Sequence, residues 1–345
     1  MVTIRDVAIA SGFSNTTVSI VLNDRPAARR ISQPTRDRIW RVAKDLGYNP
    51  NLFARTLRSN RSQTVGVVVF DITDPYCTQI LRAIEIHLNP SGYFPILIDL
   101  QNDGVNFQRC LDALQGRRVD GIIAIANPTY LDTSLFSEFD KRSLPAVVIG
   151  RNLTGSPISS VATDNHKGAR LAFQHLHELG HTKIAFIKGP ETMADSIERW
   201  QGFKSYAEEV GIELDPRLIM ELKGRNSTYL EAYTLAEEMV KRKVEFTALL
   251  GFDDLTACAA IRALTKAGYR VPMDCSVIGF DDIPSSAFYN PSLTTVRQQL
   301  ETQGTLGAEM IQELIGATLE KRILPPKHRK LDPTIIMRDS TGAAP

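Results

Sequence analysis

The chain has 345 residues, 43% of them hydrophobic and 23% charged, and a formal net charge of +1. That is more chain than one ordinary domain needs and apolar enough for packed cores, which excludes a disordered protein. No apolar run approaches the roughly 18 residues that cross a membrane as a helix. Four cysteines without a CxxC pair suit reduced thiols in a cytoplasm rather than a disulfide frame.

The near-neutral total hides an asymmetry. Residues 1–62 carry eleven Lys and Arg against four Asp, a net +7, which leaves −6 for the remainder. Only the first segment suits a polyanion. Thr3 and Asp6 have capping-box spacing, and Ile4, Val7 and Ala8 supply one apolar face, so a helix begins here instead of a secretory leader. Gly12 breaks the pattern, Ser14 caps a second helix, and Val18, Val21 and Leu22 face inward. Asn15, Thr16, Ser19 and Ile20 are left on an outer side that can enter a major groove. Ser32-Gln33-Pro34 opens a third helix, with Ile39, Val42, Ala43 and Leu46 at helical spacing and a stop at Gly47. A bare three-helix bundle is the competing reading, but it gives no reason for a short polar face flanked by arginines.

The segments Thr3-Ile4-Arg5-Asp6-Val7-Ala8, Ser14-Asn15-Thr16-Thr17-Val18-Ser19 and Val21-Leu22-Asn23 resemble the lactose/galactose repressor family of bacterial transcriptional regulators. The similarity continues through Leu46-Gly47-Tyr48-Asn49-Pro50-Asn51-Leu52-Phe53-Ala54-Arg55-Thr56-Leu57-Arg58, where that family has its hinge helix, and recurs to about residue 300. Read physically, Asn49 is a cap, Pro50 a first helical residue, and the segment makes barely two turns. Isolated helices need roughly 12 to 15 residues in water, so this one is expected to order only against its dimer mate and DNA.

The resemblance implies a headpiece at 1–48, a hinge helix at 49–61 and an effector-binding and dimerisation domain at 62–340. It implies an α/β fold: an all-α helix-turn-helix headpiece, then two doubly wound parallel lobes like those of periplasmic binding proteins. Lobe 1 is expected at 62–160 plus 291–322, and lobe 2 at 161–290 plus 323–340. DNA contacts carry over to Thr3, Ser14, Asn15, Thr16, Thr17, Ser19, Ile20 and Asn23, then to Arg25, Tyr48, Asn49, Ala54, Leu57 and Arg58. Leu57 takes the place of a wedge in the minor groove, its other reading being a dimer contact. Ile20 stands where the family usually has a polar or basic residue, which restricts it to apolar contact such as a thymine methyl. The turn at 24–31, with Arg25, Arg29 and Arg30, is expected to add phosphate contacts.

Beyond residue 62 the chain alternates β-branched runs with amphipathic stretches, the pattern of a parallel α/β fold. Strands are expected at 64–70, 95–100, 121–126, 146–149, 184–187, 248–252, 276–280 and 334–337, and a helix over 79–88. Their continuous apolar runs imply burial on both faces. Such sheets bind ligands beyond the carboxyl ends of their strands. The polar residues that follow strands are therefore the site candidates: Asp74 and Tyr76, Arg151, Asp164, Asp195 and Arg199, Asn226, Asp253, and Asp281. An aspartate beside an arginine can grip vicinal hydroxyls, although several of these carboxylates also read as helix caps. Asp74 and Asp253 stand where the family has Asn, and Asn226 falls near a position often held by a stacking aromatic. The extra carboxylates disfavour an anionic ligand and favour a neutral, hydroxyl-rich one such as a sugar.

His175, His177 and His181 sit at an expected helix end without a carboxylate or thiol to complete a metal set. No cofactor or metal is expected. The chain has no GxGxxG after its first strand, no GxxxxGK[ST], no GxSxG and no HExxH, and a sugar-binding or sugar-processing enzyme would leave the basic head unexplained. The expectation is a cytoplasmic, non-enzymatic regulator, probing double-stranded operator DNA as a homodimer, with no membrane association and control by an effector between the lobes. A protein corepressor of the phosphocarrier type is the alternative partner. Residues 338–345 hold no apolar heptads, which favours a dimer over a tetramer.

Overall fold

Local signals place the first three helices. The computed structural model describes residues 2–23, 26–48, 61–101, 106–125, 144–223 and 229–345. The expectations on Arg25, Asn49, Ala54, Leu57, Arg58 and Asn226, and the hinge helix itself, lie outside those residues. The chain divides into two units, 1–62 and 63–345.

In the first unit α1 (Ile4–Ser11), α2 (Asn15–Leu22) and α3 (Gln33–Asp45) surround Val7, Ala8, Val18, Val21, Leu22, Ile39 and Ala43. The capping box at α1 is complete: Asp6 N donates to Thr3 Oγ1 at 3.3 Å and Thr3 N to Asp6 Oδ2 at 2.8 Å. Gly12 closes the helix at φ +76, a conformation that penalises any Cβ. Leu46 departs from expectation, being 40% exposed, because α3 ends at Asp45 before Leu46 can complete the inward stripe.

The second unit holds two six-stranded sheets. Its elements are β1 (Thr64–Val69), α4 (Pro75–Leu88), β2 (Phe94–Asp99), α5 (Asn106–Gly116), β3 (Gly121–Ile125), β4 (Ala146–Ile149), β5 (Ser159–Thr163) and α6 (Asn165–Glu178). They are followed by β6 (Ile184–Lys188), α7 (Ala194–Val210), β7 (Ile219–Glu221), α8 (Tyr229–Lys241), β8 (Ala248–Gly251), α9 (Asp254–Lys266) and β9 (Ser276–Asp281). The last are β10 (Thr294–Arg297), α10 (Leu300–Leu319), β11 (His328–Leu331) and β12 (Thr334–Ile336). The first sheet runs β11-β5-β4-β3-β1-β2 and is parallel throughout. The second runs β12-β10-β9-β8-β6-β7, parallel except for β12, which lies antiparallel to β10. Strands such as β3 and β4 are buried along their whole length, as sheets covered on both faces require. No described helix is long and apolar enough to cross a membrane.

The chain passes between the sheets three times, after Thr163, after Arg297 and after Leu331. Two boundaries therefore differ from expectation. Thr294–Arg297, assigned to the first lobe, belongs to the second, because β10 pairs with β9 in the register Thr294↔Ile278. His328–Leu331, assigned to the second, is the edge strand of the first, paired with β5 from His328↔Ser160. Its polar sequence, His-Arg-Lys-Leu, carries no apolar run and suits an edge. The all-buried β5, Ser-Ser-Val-Ala-Thr, was equally unmarked, since its hydroxyls bond to neighbours: Ser160 Oγ to His328 Nδ1 at 2.9 Å, and Ser159 Oγ from Lys327 N at 3.0 Å.

Both lobes bring a helix pair together over a glycine. A Cβ on Gly304 of α10 would overlap the carbonyl oxygen of Ile80 in α4, and one on Gly202 of α7 would overlap that of His166 in α6. Neither backbone oxygen can move without breaking its helix. Gly202→Ala and Gly304→Ala are each expected to cost about 1–3 kcal/mol of unfolding free energy by overpacking, measured by urea titration. Gly155→Ala, in open space at φ +92, tests backbone strain separately from packing.

Candidate functional site

In the headpiece, α2 offers the face anticipated for reading bases, but much of its polar surface is already engaged. Ser14 Oγ accepts from Thr17 N at 3.1 Å and pairs with Thr17 Oγ1 at 2.8 Å. Asn23 Nδ2 donates to Ser19 O at 2.7 Å and to Ser19 Oγ at 3.3 Å. Thr3 Oγ1 donates to Asp6 Oδ2 at 2.7 Å. These groups shape the helix ends. Asn15 and Thr16 are exposed, Ile20 is half-buried, and the exposed Arg29 and Arg30 lie on the short 3-10 turn Pro26–Arg30. Tyr48 packs against the headpiece core, its N donating to Ala43 O at 2.8 Å.

In the second unit, residues from both sheets meet beyond the strands' carboxyl ends. Asp74 caps α4, accepting from Tyr76 N at 2.9 Å, and Asp253 caps α9, accepting from Thr256 N at 2.7 Å. Asp195 is buried in the first turn of α7, and Arg199 follows one turn later. The Arg199 guanidinium carbon lies 3.7 Å from the ring centre of Phe280 and 4.7 Å from that of Phe252. Its Nε donates to Asn165 Oδ1 at 2.9 Å and its Nη1 to Phe252 O at 2.6 Å, while Nη2 stands 3.9 Å from Asp281 Oδ1.

Burial raises the Asp74 carboxyl to about 7, with the Asp253 and Asp71 charges adding to it against the Tyr76 N–H. Burial raises Asp195 to about 6 against the opposing pull of Arg199, and it pushes Asp281 well above the usual carboxyl range despite the same guanidinium. Tyr76, from the first lobe, lies within electrostatic reach of Asp195, Asp281 and Arg199 of the second, and Arg151 within reach of Asp195. The structure thus brings Asp74, Tyr76, Asp195, Arg199, Asp253 and Asp281 within electrostatic reach of one another, with Arg151 beside Asp195. Asp164 turns elsewhere: it caps α6 through Lys167 N at 2.9 Å and pairs with Lys330 at 2.9 Å, leaving Asn165 to reach Arg199.

Several contributors carried no sequence signal for this role. Phe252 and Phe280 read as ends of apolar strands, and only the fold turns them onto Arg199. Asp254, wholly buried, accepts from Ile283 N at 2.9 Å, from Ser286 Oγ at 2.6 Å and from Thr295 Oγ1, which fixes the loop after β9. The three histidines are spread apart: His175 meets Thr341, His177 meets Tyr206, and His181 meets Thr247, Ser276 and the carbonyl of Gly342. Among the described residues no group of His, Cys, Asp or Glu is placed to hold a metal ion.

A carboxyl whose pKa is raised on folding holds its proton more tightly folded than unfolded. Its stabilisation is present at low pH and is lost as pH rises through the folded value. For Asp74 that loss spans pH 4 to about 7. Stability relative to Asp74→Asn, which stays neutral and can still cap α4, should fall by up to about 1 kcal/mol per pH unit between pH 5 and 7 and level off above pH 8. Thermal unfolding of both proteins across that range measures it.

The similarities to known proteins agree with this architecture. Residues 3–51 match the family model described as bacterial regulatory proteins, lacI family, and residues 173–341 match a periplasmic binding protein-like domain. The HTH-type transcriptional repressor PurR of Haemophilus influenzae (strain PittEE) is 32% identical over 345 residues, covering 99% of this chain and 98% of that protein. A lac repressor dimer bound to operator and the anti-inducer ONPF superimposes with a TM-score of 0.85 at 26% identity, covering 99% of both chains. A complex of the transcriptional regulator CelR with cellobiose gives 0.73 at 29% identity, covering 99% of this chain and 100% of that one. A basic helix-turn-helix headpiece joined to two parallel lobes, with similarity running the length of the chain, makes this protein a member of the lacI family: a non-enzymatic, DNA-binding transcriptional repressor.

Proposed function

We propose that this repressor holds a pseudo-palindromic operator as a homodimer and is controlled by a neutral, hydroxyl-rich small molecule bound between its lobes. The observation that carries the ligand class is the setting of Arg199. Aromatic rings lie against the guanidinium, and Nε and Nη1 are engaged, so Nη2 beside Asp281 is the edge turned to a ligand. A guanidinium donor next to a carboxyl group matches two adjacent hydroxyls, each of which both gives and takes a hydrogen bond. Asp195 and Asp253 nearby oppose a phosphate or carboxylate. The CelR structure bound to cellobiose is consistent with such a ligand.

The dimer is supported by apolar side chains left in solvent on the second unit: Phe94 (62% exposed) and Leu97 on the edge strand β2, and Leu230 and Phe288 (88% exposed) on the other lobe. Phe94 and Leu97 lie on a sheet edge that is unpaired among the described residues, where apolar side chains favour cover by another chain. Two copies would place two α2 helices in successive major grooves, with the hinge segments at the centre. Effector and operator must then alter each other's affinity by the same factor.

Two measurements test the reading. Genomic fragments selected on the full-length protein should share one inverted repeat, with affinity falling steeply as salt rises. Asn15→Ala or Thr16→Ala should re-rank those sequences by about 1–3 kcal/mol per altered base preference, whereas Arg29→Ala should weaken all of them alike. Selection of fragments without a common repeat defeats the operator assignment. Calorimetry against neutral sugars, sugar phosphates and dicarboxylates should find binding in the first group, lost at least 100-fold in Arg199→Ala (about 3 kcal/mol). Tight binding confined to the anionic compounds defeats the ligand class.

A further inference from the structure

Gln298 lies on the second passage between the lobes, 3% exposed, and it faces two ways. Its side-chain Nε2 donates to Asp281 Oδ1, on the floor of the cleft. Its backbone oxygen accepts from Thr163 Oγ1 at 3.2 Å, on the first passage, and from Gln303 Nε2 at 2.9 Å, in the first turn of α10. Gln303 Nε2 also donates to Thr163 Oγ1 at 3.0 Å. Gln303 is completely buried, and its Oε1 meets no donor among the described residues. A buried amide with an idle acceptor is costly, so its value lies in the two bonds it donates. The third passage is tied in as well, through Gln299 Nε2 to Asp332 O at 2.6 Å and Lys167 to Asp332 at 2.8 Å.

Backbone strain flanks the same residue. Asp281 has φ +126 and Gln299 has φ +55, both in the region that favours glycine. Strained residues persist only where their surroundings hold them, so losing a holding bond releases that strain. Asp281 has two suitors, the Gln298 amide and, at 3.9 Å, the Arg199 guanidinium. A ligand hydroxyl that bonds to Oδ1 of Asp281 competes directly with the Gln298 amide.

We propose that Gln298 is a positioning residue that couples the cleft to the three interlobe passages: occupation of Asp281 releases the Gln298 amide, which loosens the buried Thr163–Gln298–Gln303 latch and frees the lobes to change their mutual angle. The proposal rests on the reading that Asp281 meets the effector, but its test needs no effector. Failure of the sugar assignment and failure of this coupling are therefore separate results.

The test is amide hydrogen exchange by mass spectrometry on the full chain, with peptides spanning residues 163, 298 and 332. Asp281→Ala, which removes the acceptor, should raise exchange at least tenfold in all three passages. Asp281→Asn, which keeps an acceptor, should restore protection to within threefold of wild type. Asp195→Ala, a carboxylate lost from the same cleft without a bond to any passage, should stay within twofold. Gln298→Ala should reproduce the increase, and adding Asp281→Ala to it should add nothing; Gln303→Leu, retaining bulk without donors, should open the passages at 163 and 298. Unchanged passages in Asp281→Ala, equal opening in Asp195→Ala, or additive effects of Asp281→Ala and Gln298→Ala would each overturn the proposal. Unfolding curves on every variant confirm that exchange is read from folded protein, and should Asp281→Ala fail to fold, Gln298→Ala and Gln303→Leu decide the matter alone.

Discussion

A guanidinium with only 5% of its residue's surface in solvent is the constraint around which the second unit is arranged. An arginine cannot shed its charge, so burial demands acceptors for its N–H groups and polarisable surface for its faces. Asn165 and the carbonyl of Phe252 answer the first demand at Nε and Nη1, Asp281 stands 3.9 Å from Nη2 as a charge partner, and the rings of Phe280 and Phe252 answer the second. Room for those rings comes from glycines: a Cβ at Gly168 would strike Phe280, and one at Gly189 would strike Phe252 at 2.6 Å. The orientation of Arg199 therefore rests on ring packing that two glycines make room for.

The carboxylates around it illustrate one chemistry serving two purposes. Asp74 and Asp253 end strand-to-helix loops and bond the first turn of the helices that follow, which is what an N-cap does in any protein. In a parallel sheet every such cap also stands at the carboxyl edge, where the cleft opens. Structural capping and ligand contact therefore recruit the same residues. Asp164 shows the distinction that position alone misses: it caps α6, but its remaining oxygen is claimed by Lys330, so the neighbouring Asn165 faces the cleft.

Communication in such a molecule must pass through the places where chain runs from lobe to lobe. The first two passages are bridged by the buried side chains of Thr163 and Gln303 at the Gln298 carbonyl, and the third is tied to them at the surface through Gln299 and Lys167 to Asp332. A joint made of hydrogen bonds between buried groups has discrete arrangements, since each donor must be satisfied before and after any motion.

How much was legible beforehand follows from the range of the forces involved. Capping, helical spacing and charge act over a few residues, so the headpiece helices, the basic head and the alternating strand pattern could be read directly from Thr3, Asp6, Ser14, Val18 and the runs beginning at Val65. The polar strands His328–Leu331 and Ser159–Thr163 could not, because their place depends on hydroxyl and backbone bonds to partners 168 positions apart. For the same reason the lobe boundaries shifted to Arg297 and Leu331, where pairing partners rather than composition decide membership. The amino-acid order by itself determined a cationic helical reader, a parallel two-lobed body and the set of polar residues at strand ends. Only tertiary structure decided which of those residues converge, that Arg199 is clasped by two aromatic rings, and that Gln298 joins cleft to passage, because contacts between distant segments exist only once sheets and helices have packed.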